Sequence, residues 1–193
     1  MQSIKIVLAG EGGQGVQSIA GIISQAAFDQ GYQALYIPNF GVEQRGGVSV
    51  AFIQISTKMI SSLKFPKADV IVALSDRAVL RTKQYVDEHT TFLYDTSVNA
   101  DLVQKQITGA GKIIPIPAME IVKEKFHPRV FNVLIMGTLI PMTDFLDYDA
   151  VADVLVKKLQ YKFDQDPGLK QMNLDALKLG EDYLQDLKQV DVR

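Results

Sequence analysis

The chain has 193 residues, of which 47% are hydrophobic, so it is long enough for one ordinary core and we predict a single domain over residues 1–193. Its 20 basic and 22 acidic residues leave a net charge of −2, with no basic block that would indicate a nucleic acid partner. The absence of cysteine excludes disulfides, thiolate nucleophiles and cysteine-ligated zinc or iron–sulfur sites.

Neither a secretory signal pattern nor an apolar run of the roughly 20 residues that cross a bilayer stands out. We therefore expect a cytoplasmic protein without a membrane partner.

The first 40 residues have the pattern of a strand, a glycine loop, a helix and a second strand. Ile4–Ala9 is a nearly continuous apolar run, typical of a strand buried on both faces. Helical spacing of apolar residues follows from Val16 to Gln30, and Gly31 is a candidate C-terminal cap. With Gln33–Ile37 as the next strand, we predict a β-α-β unit with a right-handed crossover.

The middle of the chain alternates strands, loops and one helix. Breaker residues at positions 38–47 predict a loop, and Val48–Ile55 has the alternation of a strand with one wetter face. Ser75-Asp76 can cap a helix that runs to about Tyr85. Further strands are predicted at Val70–Leu74, Thr91–Tyr94 and Lys112–Ile116.

The last third has helical periodicity instead. The predicted helices are Ala118–Phe126, Phe131–Leu139, Tyr148–Gln160 and Leu169–Leu187. We therefore predict an α/β fold: a three-layer α/β/α arrangement with a mostly parallel, Rossmann-like sheet and a helical C-terminal third.

Gly10, Gly12 and Gly15 form a G-x-G-x-x-G pattern between a predicted strand and a predicted helix. A dinucleotide site of this type also needs an acidic residue at the end of the second strand, where this chain has Tyr36-Ile37-Pro38-Asn39. A nucleotide-hydrolase phosphate loop would need Lys and Ser or Thr where Val16 and Gln17 stand. The pattern thus favours neither a standard NAD site nor ATP hydrolysis.

What the glycine loop still indicates is an anion site. Glycines let backbone N–H groups converge on a ligand, and the following helix adds the positive end of its dipole. Gly12, Gly13, Gln14 and Gly15 are the candidate donors. The alternative is that the glycines serve only a tight turn and close packing of the helix on the strand.

A second candidate loop contains Glu43, Arg45, Gly46 and Gly47. Both loops are expected at the same edge of the sheet, where α/β proteins bind ligands. Arg45 can pair with a phosphate or carboxylate while Glu43 orients it. A Glu–Arg pair that only holds a surface loop is the alternative.

Other polar residues give weaker indications. His89 and His127 lie far apart, without the spacing of a metal site, and the serines lack a nucleophile-elbow motif. We predict no catalytic residue and no metal ligand. Polar residues after the strand at 91–94 (Asp95, Thr96, Ser97 and Asn99) more often form a turn than a ligand site.

The segments G-E-G-G-Q-G-V at 10–16 and G-V-E-Q-R-G-G at 41–47, with A-D-V-I-V-A-L at 68–74, closely resemble the gamma subunit or domain of 2-oxoacid:ferredoxin oxidoreductases. Phe131-Asn132-Val133 with Gly137 matches a later helix of that family. The resemblance covers about Ile4 to Leu159, and it makes the single domain a gamma-type domain of the pyruvate, ketoisovalerate and 2-oxoglutarate oxidoreductase family.

The resemblance implies a complex that decarboxylates a 2-oxoacid oxidatively to an acyl-coenzyme A. Alpha, beta and possibly delta subunits would hold thiamine diphosphate, magnesium and iron–sulfur clusters and pass electrons to ferredoxin. It implies a noncatalytic role for this chain, whose glycine loops would bind an anion or the phosphate tail of coenzyme A. A 2-oxoglutarate or a branched or aromatic 2-oxoacid system is suggested. For the isolated chain, a homodimer is one of the states that the sequence leaves open.

Two other hypotheses remain open from the residues alone. One is a free-standing nucleotide-binding module or small dehydrogenase, which would bind NAD, FAD or ATP. The other is an architectural subunit whose loops hold no ligand.

Overall fold

The computed structural model describes residues 2–40 and 47–190. The strands are β1 (Ser3–Glu11), β2 (Gln33–Phe40), β3 (Val48–Ser56), β4 (Val70–Ala73), β5 (Thr91–Asp95) and β6 (Lys112–Ile116). The helices are α1 (Val16–Asp29), α2 (Asp76–Thr82), α3 (Ala100–Gln106), α4 (Ala118–Lys125), α5 (Phe131–Leu139), α6 (Tyr148–Phe163) and α7 (Pro167–Val190). Short 3-10 turns follow α2, precede α5 and follow α5.

The six strands form one sheet in the order β2-β3-β1-β4-β5-β6. The pairings β1–β4, β4–β5 and β5–β6 are parallel, which confirms a mostly parallel sheet. β3 runs antiparallel to both of its neighbours, so it separates β1 from β2. The predicted β-α-β unit therefore has β1 and β2 in the same direction but not side by side.

One predicted boundary was wrong, the end of the second strand, and one helix was missed. β2 continues to Phe40, and Pro38 pairs in register with Ala51 although residues 38–40 were assigned to a loop. Proline is tolerated there because β2 is an outer strand. β6, the other outer strand, also contains a proline, Pro115. The helix that was not predicted is α3, which Asn99 caps through its side-chain oxygen.

Successive side chains of a strand point to opposite faces of the sheet, so they pack into two separate cores. Ile6 and Leu8 face the core shared with α1, α4, α5, α6 and α7, whereas Val7 and Ala9 face the core shared with α2 and α3. The three predicted layers are therefore present. Among the described residues, no helix combines the length and the apolar character that crossing a bilayer needs.

α1 ends as its sequence predicted. Gly31 has φ +89°, its N–H donates to the Phe28 carbonyl, and the N–H of Tyr32 donates to the Ala27 carbonyl. These two bonds form a Schellman motif, which requires the left-handed conformation that glycine adopts without strain. The cap turns the chain directly into β2.

α5 and α7 cross at a pair of glycines. A Cβ on Gly137 would lie 2.1 Å from the carbonyl oxygen of Leu177, and a Cβ on Gly180 would lie 2.1 Å from the carbonyl oxygen of Leu134. Neither backbone leaves room for any side chain. The two glycines thus set the distance between the helices.

Replacing Gly137 with Ala is expected to destabilise the protein by about 1–3 kcal/mol, because backbone atoms must move to admit the methyl group. The matched control is Gly21→Ala in α1, where the nearest atom to the new Cβ is the mobile Lys158 Nζ. That change should be neutral or stabilising, since alanine favours helix. Equal melting temperatures for the two variants would contradict the tight crossing.

Ser24 lies in α1, and its buried hydroxyl has no hydrogen-bond partner among the described residues. Ser24→Ala should therefore raise the free energy of unfolding by about 1 kcal/mol, since it removes an unpaired polar group and improves helix propensity. Ser75→Ala is the control, because the Ser75 hydroxyl accepts the N–H of Ala78 at the start of α2. Its loss should cost about 1 kcal/mol. Chemical denaturation measures the free energy of unfolding of both variants. A change of the same sign in both would refute this assignment.

Candidate functional site

The glycine loop begins with a tight turn at the end of β1. The N–H of Gln14 donates to the carbonyl of Glu11 at 3.1 Å, which closes a four-residue turn. Gly13, at its third position, has φ +94°, as a type II turn requires. Gly12 and Gly13 are exposed at the tip of this turn.

The Gln14 side chain holds the turn in place. Its Oε1 accepts the N–H of Glu11 at 2.6 Å, and its Nε2 donates to the carbonyl of Leu74, just beyond β4, at 2.8 Å. A Cβ on Gly10 would lie 2.7 Å from this Oε1, so only glycine leaves room for the folded side chain. Gln14 was predicted to be one of the donors to a ligand, but both of its side-chain amide atoms bond to the protein backbone.

Gly15 joins the turn to α1. It is the N-terminal cap residue with φ +77°, and a Cβ there would lie 2.7 Å from the Cβ of Asn132 at the start of α5. The left-handed backbone of Gly15 disfavours any other residue, and the contact with Asn132 leaves no room for a side chain. The contact also places α5 directly against the loop.

The amino end of α1 lies next to the glycine turn. Among residues 2–40 and 47–190 no side chain caps it, and its first turn contains no acidic residue. Within the described part of the chain, the backbone N–H groups of Gly12, Gly13, Gly15 and the first helical turn have no acceptor. Unpaired N–H groups at the positive end of a 14-residue helix attract an anion.

A polar network that the sequence did not predict fixes this end of α1 against the sheet. Gln17 Nε2 donates to the Ser49 hydroxyl at 2.6 Å and to the Val50 carbonyl at 3.1 Å, and its Oε1 accepts the Tyr36 hydroxyl at 2.5 Å. Partial burial raises the pKa of Tyr36 above its ordinary value, so the phenol keeps the proton that it donates. The first turn of α1 is therefore tied to both strands that flank the second loop.

The second loop connects β2 to β3. Glu43, Arg45 and Gly46 lie outside the described residues, whereas Gly47 directly precedes β3. Strand register locates the two ends of this connection: Phe40 pairs with Ser49, and Val48 pairs with Glu11 at the end of β1. Both loops thus leave the same edge of the sheet, as the sequence analysis expected.

The polar residues at and after the end of β5 form the turn that was favoured for them. Asp95 is buried; its Oδ2 accepts the N–H of Ser97 at 3.1 Å, and its Oδ1 accepts the N–H of Met119 at 2.9 Å. Asn99 caps α3. These side chains therefore stabilise two helix starts.

The histidines have local contacts. Nδ1 of His127 accepts the N–H of Arg129 at 3.2 Å, and Nε2 of His89 lies 3.6 Å from the carboxylate of Glu88 on the exposed surface. Across residues 2–40 and 47–190, no three His, Asp or Glu side chains group together as metal ligands.

Comparison with known proteins gives one family. The model of the pyruvate ferredoxin/flavodoxin oxidoreductase family matches residues 5–183. Ketoisovalerate oxidoreductase subunit VorA of Methanothermobacter marburgensis is 31% identical over 183 residues, which are 94% of this chain and 37% of VorA. 2-Oxoglutarate synthase subunit KorC of Methanocaldococcus jannaschii is 28% identical over 187 residues, 95% of each chain.

A solved structure shares the fold. The 2-oxoglutarate:ferredoxin oxidoreductase from Magnetococcus marinus, solved with 2-oxoglutarate, coenzyme A and succinyl-CoA bound, superposes with a TM-score of 0.85 at 23% identity. The match covers 96% of this chain and 32% of that one. The present chain thus spans about a third of the longer proteins and nearly all of the shorter one. Because the family model matches residues 5–183, this chain belongs to the pyruvate ferredoxin/flavodoxin oxidoreductase family.

Proposed function

We propose that this chain is the gamma-type subunit of a 2-oxoacid:ferredoxin oxidoreductase and that its glycine loop binds an anion, with the phosphate groups of coenzyme A as the leading candidate. The subunit role is supported by the match to KorC, itself named as a subunit, over 95% of both chains. The anion site is supported by the unpaired N–H groups at the start of α1.

The reaction of the complex would be oxidative decarboxylation of a 2-oxoacid to an acyl-coenzyme A. This chain contributes no thiolate to cluster binding, because it has no cysteine. Thiamine diphosphate, magnesium and the iron–sulfur clusters are assigned to alpha, beta and possibly delta subunits, and ferredoxin accepts the electrons. The relatives named for ketoisovalerate and 2-oxoglutarate support either substrate class.

The residues of this chain bind and orient a ligand instead of reacting with it. Gly12 and Gly13 present exposed backbone at the tip of the turn, and Gly15 begins the helix whose dipole favours negative charge. We assign the formal positive charge to Arg45 in the second loop, with Glu43 as its orienting partner and Gly46 and Gly47 as its flanking glycines. A phosphate held between the two loops would lie at the edge of the sheet where α/β proteins bind ligands.

A free-standing dehydrogenase is less well supported. β2 ends in Ile37-Pro38-Asn39-Phe40, without a carboxylate to bind ribose hydroxyls. Saturable binding of NAD, FAD or ATP would favour that alternative.

The anion site is tested by placing one charge at Gly12, where a Cβ meets no atom within 4 Å and the backbone is not left-handed. Gly12→Asp should weaken coenzyme A binding at least about tenfold relative to the isosteric Gly12→Asn, since like charge repels phosphate. Isothermal titration at two salt concentrations measures both variants, and the difference should shrink at high salt. Equal affinities would indicate an architectural subunit with an empty loop.

The subunit role is tested by purifying the tagged chain from its native host. It should copurify with chains that contain thiamine diphosphate and iron–sulfur clusters, and the assembly should reduce ferredoxin only when a 2-oxoacid and coenzyme A are both present. Gly12→Asp should assemble normally but require more coenzyme A, which separates the two parts of the proposal. A chain that purifies alone and reduces nothing with its neighbours would contradict the subunit role.

A further inference from the structure

A second concave site lies beside the glycine loop. It is a cleft of about 750 Å³ between the first turns of α1, the start of α5, the end of α6 and the start of α7. This volume is within the range of small-molecule sites, about 300–1,000 Å³. Its apolar lining consists of Val130, Val133, Leu155, Leu159, Phe163, Leu169 and Met172.

Two exposed cations stand at the rim of this apolar lining. Arg129 has no carboxylate partner within residues 2–40 and 47–190, and Lys162 Nζ lies 5.7 Å from the ring centroid of Tyr161. Asp166 is the acidic lining residue, and its Oδ1 accepts the N–H of Gly168 at 3.1 Å. The rim therefore carries more positive than negative charge, and its carboxylate is already hydrogen-bonded.

The cleft is distinct from the glycine loop but shares a wall with it. Asn132 lines the cleft and also abuts Gly15, while Ser18 lines it from the first turns of α1. The loop is polar and glycine-rich and suits a phosphate. The cleft has an apolar floor and suits a ligand with an apolar body.

We propose that this cleft binds a small amphipathic anion: an apolar chain or ring that packs on the floor and a carboxylate or sulfonate that pairs with Arg129 and Lys162. Apolar burial supplies the attraction of the body, and charge-assisted hydrogen bonds at the rim orient the anionic end. A neutral molecule of the same size gains only the contribution from apolar burial. The proposal stands independently of the loop's ligand and of the subunit role.

The test uses the full chain and the fluorescent probe 8-anilinonaphthalene-1-sulfonate. The probe should bind at one site, and octanoate should displace it at least about fivefold more effectively than 1-octanol. Arg129→Ala and Lys162→Ala should each weaken probe binding about fivefold. Arg81→Ala, an exposed change of the same charge on α2 in the opposite helical layer, is the matched control and should leave binding unchanged.

Three outcomes would overturn the assignment. One is no saturable binding, and another is equal weakening by Arg81→Ala, which would indicate nonspecific attraction to a cationic surface. The third is displacement by inorganic phosphate as effective as that by octanoate, which would locate the probe at the glycine loop. Retention of probe affinity by Gly12→Asp further separates the two sites, because that variant is designed to impair only the loop.

Discussion

The site depends first on one amide side chain. Gln14 links the N–H of Glu11 to the carbonyl of Leu74, so it fastens the glycine turn to the ends of both β1 and β4. Without it, a backbone donor and a backbone acceptor would lose their partner at a partly buried position, which costs about 1–3 kcal/mol for each group left unpaired. These bonds hold the turn in place, with Gly12 and Gly13 exposed at its tip.

The helical third of the chain supports the same loop from the other side. Asn132 packs on Gly15 at the beginning of α5, and α5 in turn is held against α7 by the close approach of Gly137 and Gly180. The loop is thus fixed between the sheet and a helix pair that comes more than 100 residues later in the chain. Packing against rigid elements on both sides favours one conformation of the loop.

Much of this arrangement was predictable from local sequence, and the failures have identifiable causes. The apolar runs of β1 and β4 and the cap at Gly31 are local signals, and they were predicted correctly. The antiparallel insertion of β3 was not predicted, although the seven residues between β2 and β3 are too few for a parallel crossover. That connection length was the available signal.

Side-chain roles at the site were harder to predict. Gln14 and Gln17 are both amides near a glycine loop, and their partners Leu74, Ser49 and Tyr36 are distant in sequence. Only the folded topology brings these groups together. Asp95 and Asn99 were predictable as turn formers because their main contacts are within a few residues.

The two outer strands have a consequence for how copies of this chain meet. Pro38 in β2 and Pro115 in β6 each remove a backbone donor from a sheet edge. An intermolecular sheet that continued across either edge would therefore be interrupted at a proline. The apolar strands of this sheet are thereby protected against edge-to-edge aggregation.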